Sequence, residues 1–99
     1  MSQDTRNLTL RTLDVLEALC GYAASGASNS ELAKAAGTSA PNITRAMALL
    51  IAKGWARKSE ETGRFHPTPA FTRITFRVTA DLDRVQTRLD DQRRSFTGT

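Results

Sequence analysis

Cysteine and histidine are nearly absent: the chain has one of each, Cys20 and His66. One thiol cannot form an intramolecular disulfide or a cysteine-based metal cluster, so a reducing, cytoplasmic setting is expected. His66 has no Cys, His or carboxylate at ligand spacing, and no metal site is expected. No stretch approaches the ~20 apolar residues of a membrane span, and the opening MSQDTRNLT lacks the apolar centre of a secretion signal. A membrane partner is therefore not expected. Aromatic residues make up only 6% of the chain, few for a protein that stacks on single-stranded RNA. There is no G-x-S-x-G, no H-E-x-x-H and no glycine-rich phosphate loop, so the expectation is no enzyme and no cofactor.

What is present suits one folded domain. The 99 residues are 39% hydrophobic and 24% charged, ordinary values for a globular chain. The net charge of +4 is unevenly placed. Up to Leu50, Arg6, Arg11, Lys34 and Arg45 are matched by Asp4, Asp14, Glu17 and Glu31. From Val78 onward, Arg84, Arg88, Arg93 and Arg94 are matched by Asp81, Asp83, Asp90 and Asp91. The excess lies between, where Lys53, Arg57, Lys58, Arg64, Arg73 and Arg77 face only Glu60 and Glu61. A local cationic excess of this kind fits an anionic partner, nucleic acid above all, although a solvated basic hairpin gives the same pattern.

Periodicity divides the chain. Residues 1–8 show none and read as a flexible arm. From Thr9 to Ala24, Leu10, Leu13, Leu16 or Glu17, and Cys20 recur at helical spacing, with Val15 and Leu19 widening the stripe, so Cys20 reads as a small core residue. Ser28 with Glu31 is a capping-box pattern opening a short second helix that Gly37 can end. Ser39 is the N-cap of a third helix with Pro41 in its first turn, and Ile43, Met47 and Leu50 form its apolar stripe up to Gly54. The segments WARKS and RFHPT around EETG read as a β-hairpin, onto which Trp55 packs. Thr68 and Pro69 suit a helix start, with Phe71, Ile74 and Val78 on one face, while Ile74, Phe76 and Val78 also alternate as in a strand; helix is the reading taken.

Two short helices joined by a tight glycine turn make a helix-turn-helix, whose second helix lies in the DNA major groove. The stripe of Ile43, Met47 and Leu50 leaves Ala40, Pro41, Asn42, Thr44 and Arg45 on the outward front. Asn42 suits adenine, Arg45 suits guanine, and Ala40 and Pro41 suit a thymine methyl; these five are the candidates for base readout. Ser39, Arg57, Lys58 and Arg64 are the candidates for phosphate and wing contacts, and a dimer neutralising ~6 phosphates gives a log–log salt slope near −5.

The segments RTLDVLEAL, SELAKAAGTSAPNITRAMALLIAKGW and TGRFHPTPAF resemble, in order and spacing, the N-terminal winged helix-turn-helix of the IclR family of bacterial transcription regulators. The resemblance implies a first helix at Leu10 to Ala24, a recognition helix at Ala40 to Lys53 and a wing at Trp55 to Thr68. Asn42 stands where that family commonly has Ser or Thr, Arg45 matches its frequent arginine, and Gly63 and Arg64 match the glycine and basic residue of the wing turn. The large effector-binding domain of IclR regulators has no counterpart here, so no small-molecule effector domain is expected. A winged domain with its own terminal helix also resembles small regulators of the MarR-like kind and those of mobile elements.

From Ala80 to Phe96, Leu82, Leu89 and Phe96 lie seven apart with Val85 between them, a short coiled-coil-like seam. It either folds back on the core or pairs with a second copy, and its narrowness favours dimerisation through Leu82, Val85, Leu89 and Phe96. The expected fold is mainly α with a small β-hairpin wing: an arm over 1–8, a winged helix-turn-helix DNA-binding domain over 9–78 and a dimerising C-terminal helix over 79–99. The expected role is that of a homodimeric regulator, a repressor in its simplest form, on double-stranded DNA. The competing reading is a winged protein-interaction module within a DNA-processing assembly.

Overall fold

The computed structural model describes residues 2–97, with side chains from residue 7 onward. The elements follow as α1 (Ser2–Cys20), α2 (Asn29–Ala36), α3 (Ala40–Lys53), β1 (Ala56–Lys58), β2 (Phe65–Pro67) and α4 (Pro69–Thr97). This is a mainly helical winged helix-turn-helix with a C-terminal helix, as the sequence implies.

Helix α1 begins at Ser2 instead of near Thr9, and Met1 lies outside the described residues. Nothing in residues 2–8 is a helix breaker, and once the later turns are held against the core each added residue gains a hydrogen bond without a new nucleus. The buried stripe of α1 also differs from the expected one. Val15, Leu16 and Leu19 are buried, whereas Leu10 and Leu13 remain about half exposed and Cys20 faces solvent. At 100° per residue, the face carrying Leu10, Leu13 and Cys20 is turned more than a third of a revolution from the face that meets the core. Cys20 is therefore not a core residue. Partial desolvation, and then the neighbouring Glu17 carboxylate, push its thiol pKa up.

Helices α2 and α3 are closed at both ends by side-chain and glycine caps. Ser28 Oγ accepts from the Glu31 N–H while a Glu31 carboxylate oxygen accepts from the Ser28 N–H, and Gly37 ends α2 in the left-handed region. Ser39 caps α3, Pro41 sits in its first turn, and Gly54 ends it at φ 85°. From α3, Ile43, Ala46, Met47 and Leu50 point inward at i, i+3, i+4 and i+7, and they meet Leu32 of α2 and the buried face of α1.

The hairpin pairs antiparallel, with Ala56 opposite Pro67, Arg57 opposite His66 and Lys58 opposite Phe65. Ala56 and Phe65 fill the last side of the core. The free edge of β2 is bound by the segment before α2: Ala27 and Phe65 exchange two backbone hydrogen bonds of 2.9 and 2.8 Å.

Residues 69–78 are helical and run without a break into the terminal segment, so position 78 marks no boundary in the backbone. Thr68 caps the start of α4, and Phe71 packs on Trp55 with ring centroids 5.4 Å apart. Beyond that anchor α4 stands away from the core with no fully buried residue, giving a molecule 62 Å long. It does not fold back: Leu82, Val85 and Leu89 are 64%, 44% and 50% exposed, and Phe96 is 92% exposed.

Candidate nucleic-acid interface

The inward stripe of α3 fixes what its other side shows. Ala40, Pro41, Thr44 and Arg45 are exposed, and so is Ala48, one turn beyond Thr44 on the same face. Sequence reading missed Ala48 because alanine carries no polar signal and fits either side of a helix. Its small side chain keeps the middle of this face low, which lets a partner approach between Thr44 and the wing.

Asn42 differs from the free reader that the sequence suggests. It is half-buried, its Nδ2 donates to Thr38 Oγ1 at 2.8 Å, and its Oδ1 accepts from Arg45 Nη1 at 2.8 Å. Both ends of the amide are thus engaged within the protein. Arg45 keeps its remaining guanidinium donors on the exposed surface, held in one direction by this bond. Ser39 is exposed, and its Oγ accepts from the Asn42 N–H at 3.4 Å.

Asn29, which sequence reading passed over, joins the two helices of the motif. Its Nδ2 reaches both Ala40 O and Thr44 Oγ1 at 3.3 Å, while Thr44 Oγ1 donates to Ala40 O. The hydroxyl of Thr44 is therefore engaged inward and its methyl is the group left to make contacts. A polar residue opening α2 was visible in the sequence, but its partners lie 11 and 15 residues away.

In the wing, Arg57 and Lys58 are both exposed, and strand alternation puts them on opposite faces. Lys58 shares its side with α3: it lines an open groove of about 280 Å³ with Asn29, Thr44, Ala48, Ile51 and Gly63, and its Nζ lies 5.6 Å from the Phe65 ring centroid. Arg57 stands on the His66 face.

Arg64 is engaged within the molecule. Its Nη2 pairs with Glu31 Oε1 at 2.5 Å and donates to Gly26 O at 3.1 Å, and its Nε reaches Ser25 O and Gly26 O at 3.3 Å. The guanidinium ties the wing to the start of α2 and to the turn after α1. The same Glu31 oxygen accepts from the Ser28 N–H at 2.9 Å. That backbone bond is the main reason the Glu31 pKa is lowered, with the Ser28 hydroxyl and Arg64 adding to it against the opposing effect of desolvation.

His66 packs on Gly26, where an added Cβ would stand 2.6 Å from its ring. Among the described residues no group of three or more His, Cys, Asp or Glu is placed to hold a metal ion, and no helix is long and apolar enough to cross a membrane.

The arrangement is a convex helix face with one oriented arginine, small apolar contacts beside it and a cation on the adjoining wing. Comparison with known proteins gives a match to the family model described as MarR family over residues 6–64. That supports the winged helix-turn-helix which the IclR resemblance implied, and not the IclR type itself. No curated protein and no solved structure matches the chain.

Proposed function

The chain belongs to the MarR family of winged-helix transcription regulators that bind DNA, and from that premise we propose that it is a cytoplasmic homodimeric repressor that reads a pseudo-palindromic site and occludes a promoter. The observation that carries this reading is the outward face of α3, where Pro41, Thr44, Arg45 and Ala48 stand exposed beside Lys58 of the wing. Arg45 pairs bidentately with guanine, and Ala40, Pro41, Ala48 and the Thr44 methyl contact thymine methyl groups. Asn42 acts by aiming Arg45. Ser39, at the start of α3, and Lys58 contact phosphate, Arg64 holds the wing in position for them, and Arg57 stands on the opposite face of the wing. Leu82, Val85, Leu89 and Phe96 belong to the dimer contact.

Because Arg64 is paired with Glu31 and Arg57 stands on the far face of the wing, the wing cations of a dimer that face DNA number about two instead of six, so the log–log salt slope from the wings is near −2. The reading is tested by selecting bound duplexes from a random DNA pool and titrating the winner and a scrambled duplex at two salt concentrations. A recovered palindrome with half-sites one helical turn apart, or a multiple of it, is expected. Arg45→Ala, alone or with Asn42→Ala, is expected to lower its preference over the scramble by about 1–3 kcal/mol per half-site while the helical circular-dichroism signal stays unchanged. A pool that yields no motif, or a double variant that keeps full preference, overturns the assignment.

A further inference from the structure

Because α4 is one unbroken helix, its apolar stripe can be followed well beyond Leu82, Val85, Leu89 and Phe96. Phe71, Val78, Val85 and Gln92 lie seven apart, and so do Thr75, Leu82, Leu89 and Phe96, the two series interleaved at steps of four and three. Read in order the stripe is Phe71, Thr75, Val78, Leu82, Val85, Leu89, Gln92 and Phe96. Beyond Phe71, which is packed on its own core, it runs polar, four aliphatics, polar from Thr75 to Gln92, and so has the same character from either end. Phe76 lies off the stripe and takes no part in it.

We propose that α4 packs antiparallel against α4 of a second copy, with the twofold axis passing between Asp83 and Arg84; this rests on the dimer reading above. In that register Thr75 meets the partner's Gln92, Val78 meets the partner's Leu89 and Leu82 meets the partner's Val85, while Phe71 stays packed on Trp55 of its own winged domain. Every place from Thr75 to Gln92 is filled by its own kind. Sliding by one heptad either way sets Gln92 against the partner's Leu82 or Thr75 against the partner's Val85.

A parallel pair would also match like with like, so the stripe alone does not fix the direction. The flanking charges do. Asp81 and Arg88 occupy the same flank of the stripe, seven apart, and Arg93 occupies the other. Side by side and parallel, Arg88 meets the partner's Arg93, a repulsion repeated by symmetry. Antiparallel, Asp81 meets the partner's Arg88 and Arg88 meets the partner's Asp81. Among the described residues Arg88 has no ion pair, and Asp81 is paired only with Arg84 in a bond whose two side chains are 66% and 69% exposed. A bond so exposed to water is readily exchanged.

The direction decides where the winged domains go. A helix of 29 residues is about 43 Å long. Antiparallel packing sets the two α4 starts that far apart, with one winged domain at each end, whereas parallel packing sets them about 10 Å apart.

The test uses the full chain with Cys20→Ser and one of two further changes at exposed polar places, Thr75→Cys or Gln92→Cys. Each variant alone and an equal mixture are oxidised with glutathione disulfide, and products are resolved by mass. The expected result is that the mixture forms the mixed disulfide dimer at least tenfold faster than either variant forms its own, because Thr75 lies about 25 Å along the axis from the partner's Thr75. Self-linking of each variant as fast as the mixture overturns the antiparallel arrangement. Sedimentation equilibrium separates this failure from failure of the premise. A monomer at tens of micromolar overturns the dimer reading, while a dimer that links in no combination overturns the α4 register alone. As a second arm, Arg88→Asp is expected to weaken dimerisation about tenfold and Asp81→Arg with Arg88→Asp to restore it. Strengthening by Arg88→Asp, as a parallel pair requires, overturns the proposal.

Discussion

Replacing Asn42 by Ala separates a residue that reads DNA from one that aims another. The change removes the acceptor that holds Arg45 Nη1 and the donor to Thr38 Oγ1, both at 2.8 Å. Arg45 then has to be ordered by the DNA and not in advance, and ordering a long side chain costs about 0.5–1.5 kcal/mol. Affinity for each half-site is expected to fall about twofold to tenfold. Arg45→Ala, which removes the guanine contact itself, is expected to cost about 1–3 kcal/mol per half-site. The double variant should bind as weakly as Arg45→Ala and no more weakly, because a tether with nothing to hold contributes nothing. The assay is fluorescence anisotropy at fixed salt on the selected duplex and on each single-base variant of it. If Asn42→Ala relaxes preference at one A·T pair while the Arg45-dependent position keeps its discrimination, or if the two losses add, Asn42 touches a base and the aiming argument is refuted. Loss of the Thr38 bond should also lower stability by about 0.5–1.5 kcal/mol, read from urea unfolding.

Leu32→Ala empties a fully buried place between α2 and the other helices, and should cost about 2–5 kcal/mol in urea unfolding followed by Trp55 fluorescence. Gly26→Ala should destabilise the fold more than Gly63→Ala: both glycines have positive φ, but only at Gly26 does a Cβ meet the His66 ring, and adding His66→Ala should recover part of the loss in melting temperature. The lowered pKa of Glu31 means that its stabilising contribution is complete above the ordinary value of about 4.5 and disappears as pH falls through the lower folded value. Glu31→Gln should therefore flatten the acid limb of melting temperature against pH and leave the neutral limb with its slope unchanged. A variant whose acid limb stays as steep as that of the parent would show that other carboxylates account for it.

The helix ends were readable because their chemistry is local. Ser28 with Glu31, Ser39 with Pro41, and the stops at Gly37 and Gly54 all act within a few residues, and the structure places α2 and α3 between them. The stripe of α1 was read too wide, because leucines occur on two faces and only contact with α2 and α3 selects Val15, Leu16 and Leu19 over Leu10 and Leu13. Which side of α3 faces outward was legible in the sequence, and the pairings of its side chains less so. Arg64 and Glu31 are 33 residues apart, and the Ala27 bridge to Phe65 is one residue long, so neither leaves a pattern along the chain. The bond from Asn42 to Arg45 spans only three residues, yet a rotamer choice decides whether an amide faces outward or toward its own helix.

The separation of α4 from the rest bears on how the chain folds. The contacts around Val15, Leu19, Leu32, Ile43 and Met47 close a cooperative unit that ends at Phe71, whereas the outer turns of α4 rest on local bonds such as Arg84 to Asp81 and Arg94 to Asp91. An isolated helix gains little from such pairs. The two parts therefore have different sources of free energy and should not melt as one. Amide hydrogens of the winged unit report a concentration-independent stability, while those between Leu82 and Phe96 gain protection only as fast as α4 finds a partner. Hydrogen exchange at several chain concentrations would resolve the first-order step from the second-order one within a single polypeptide.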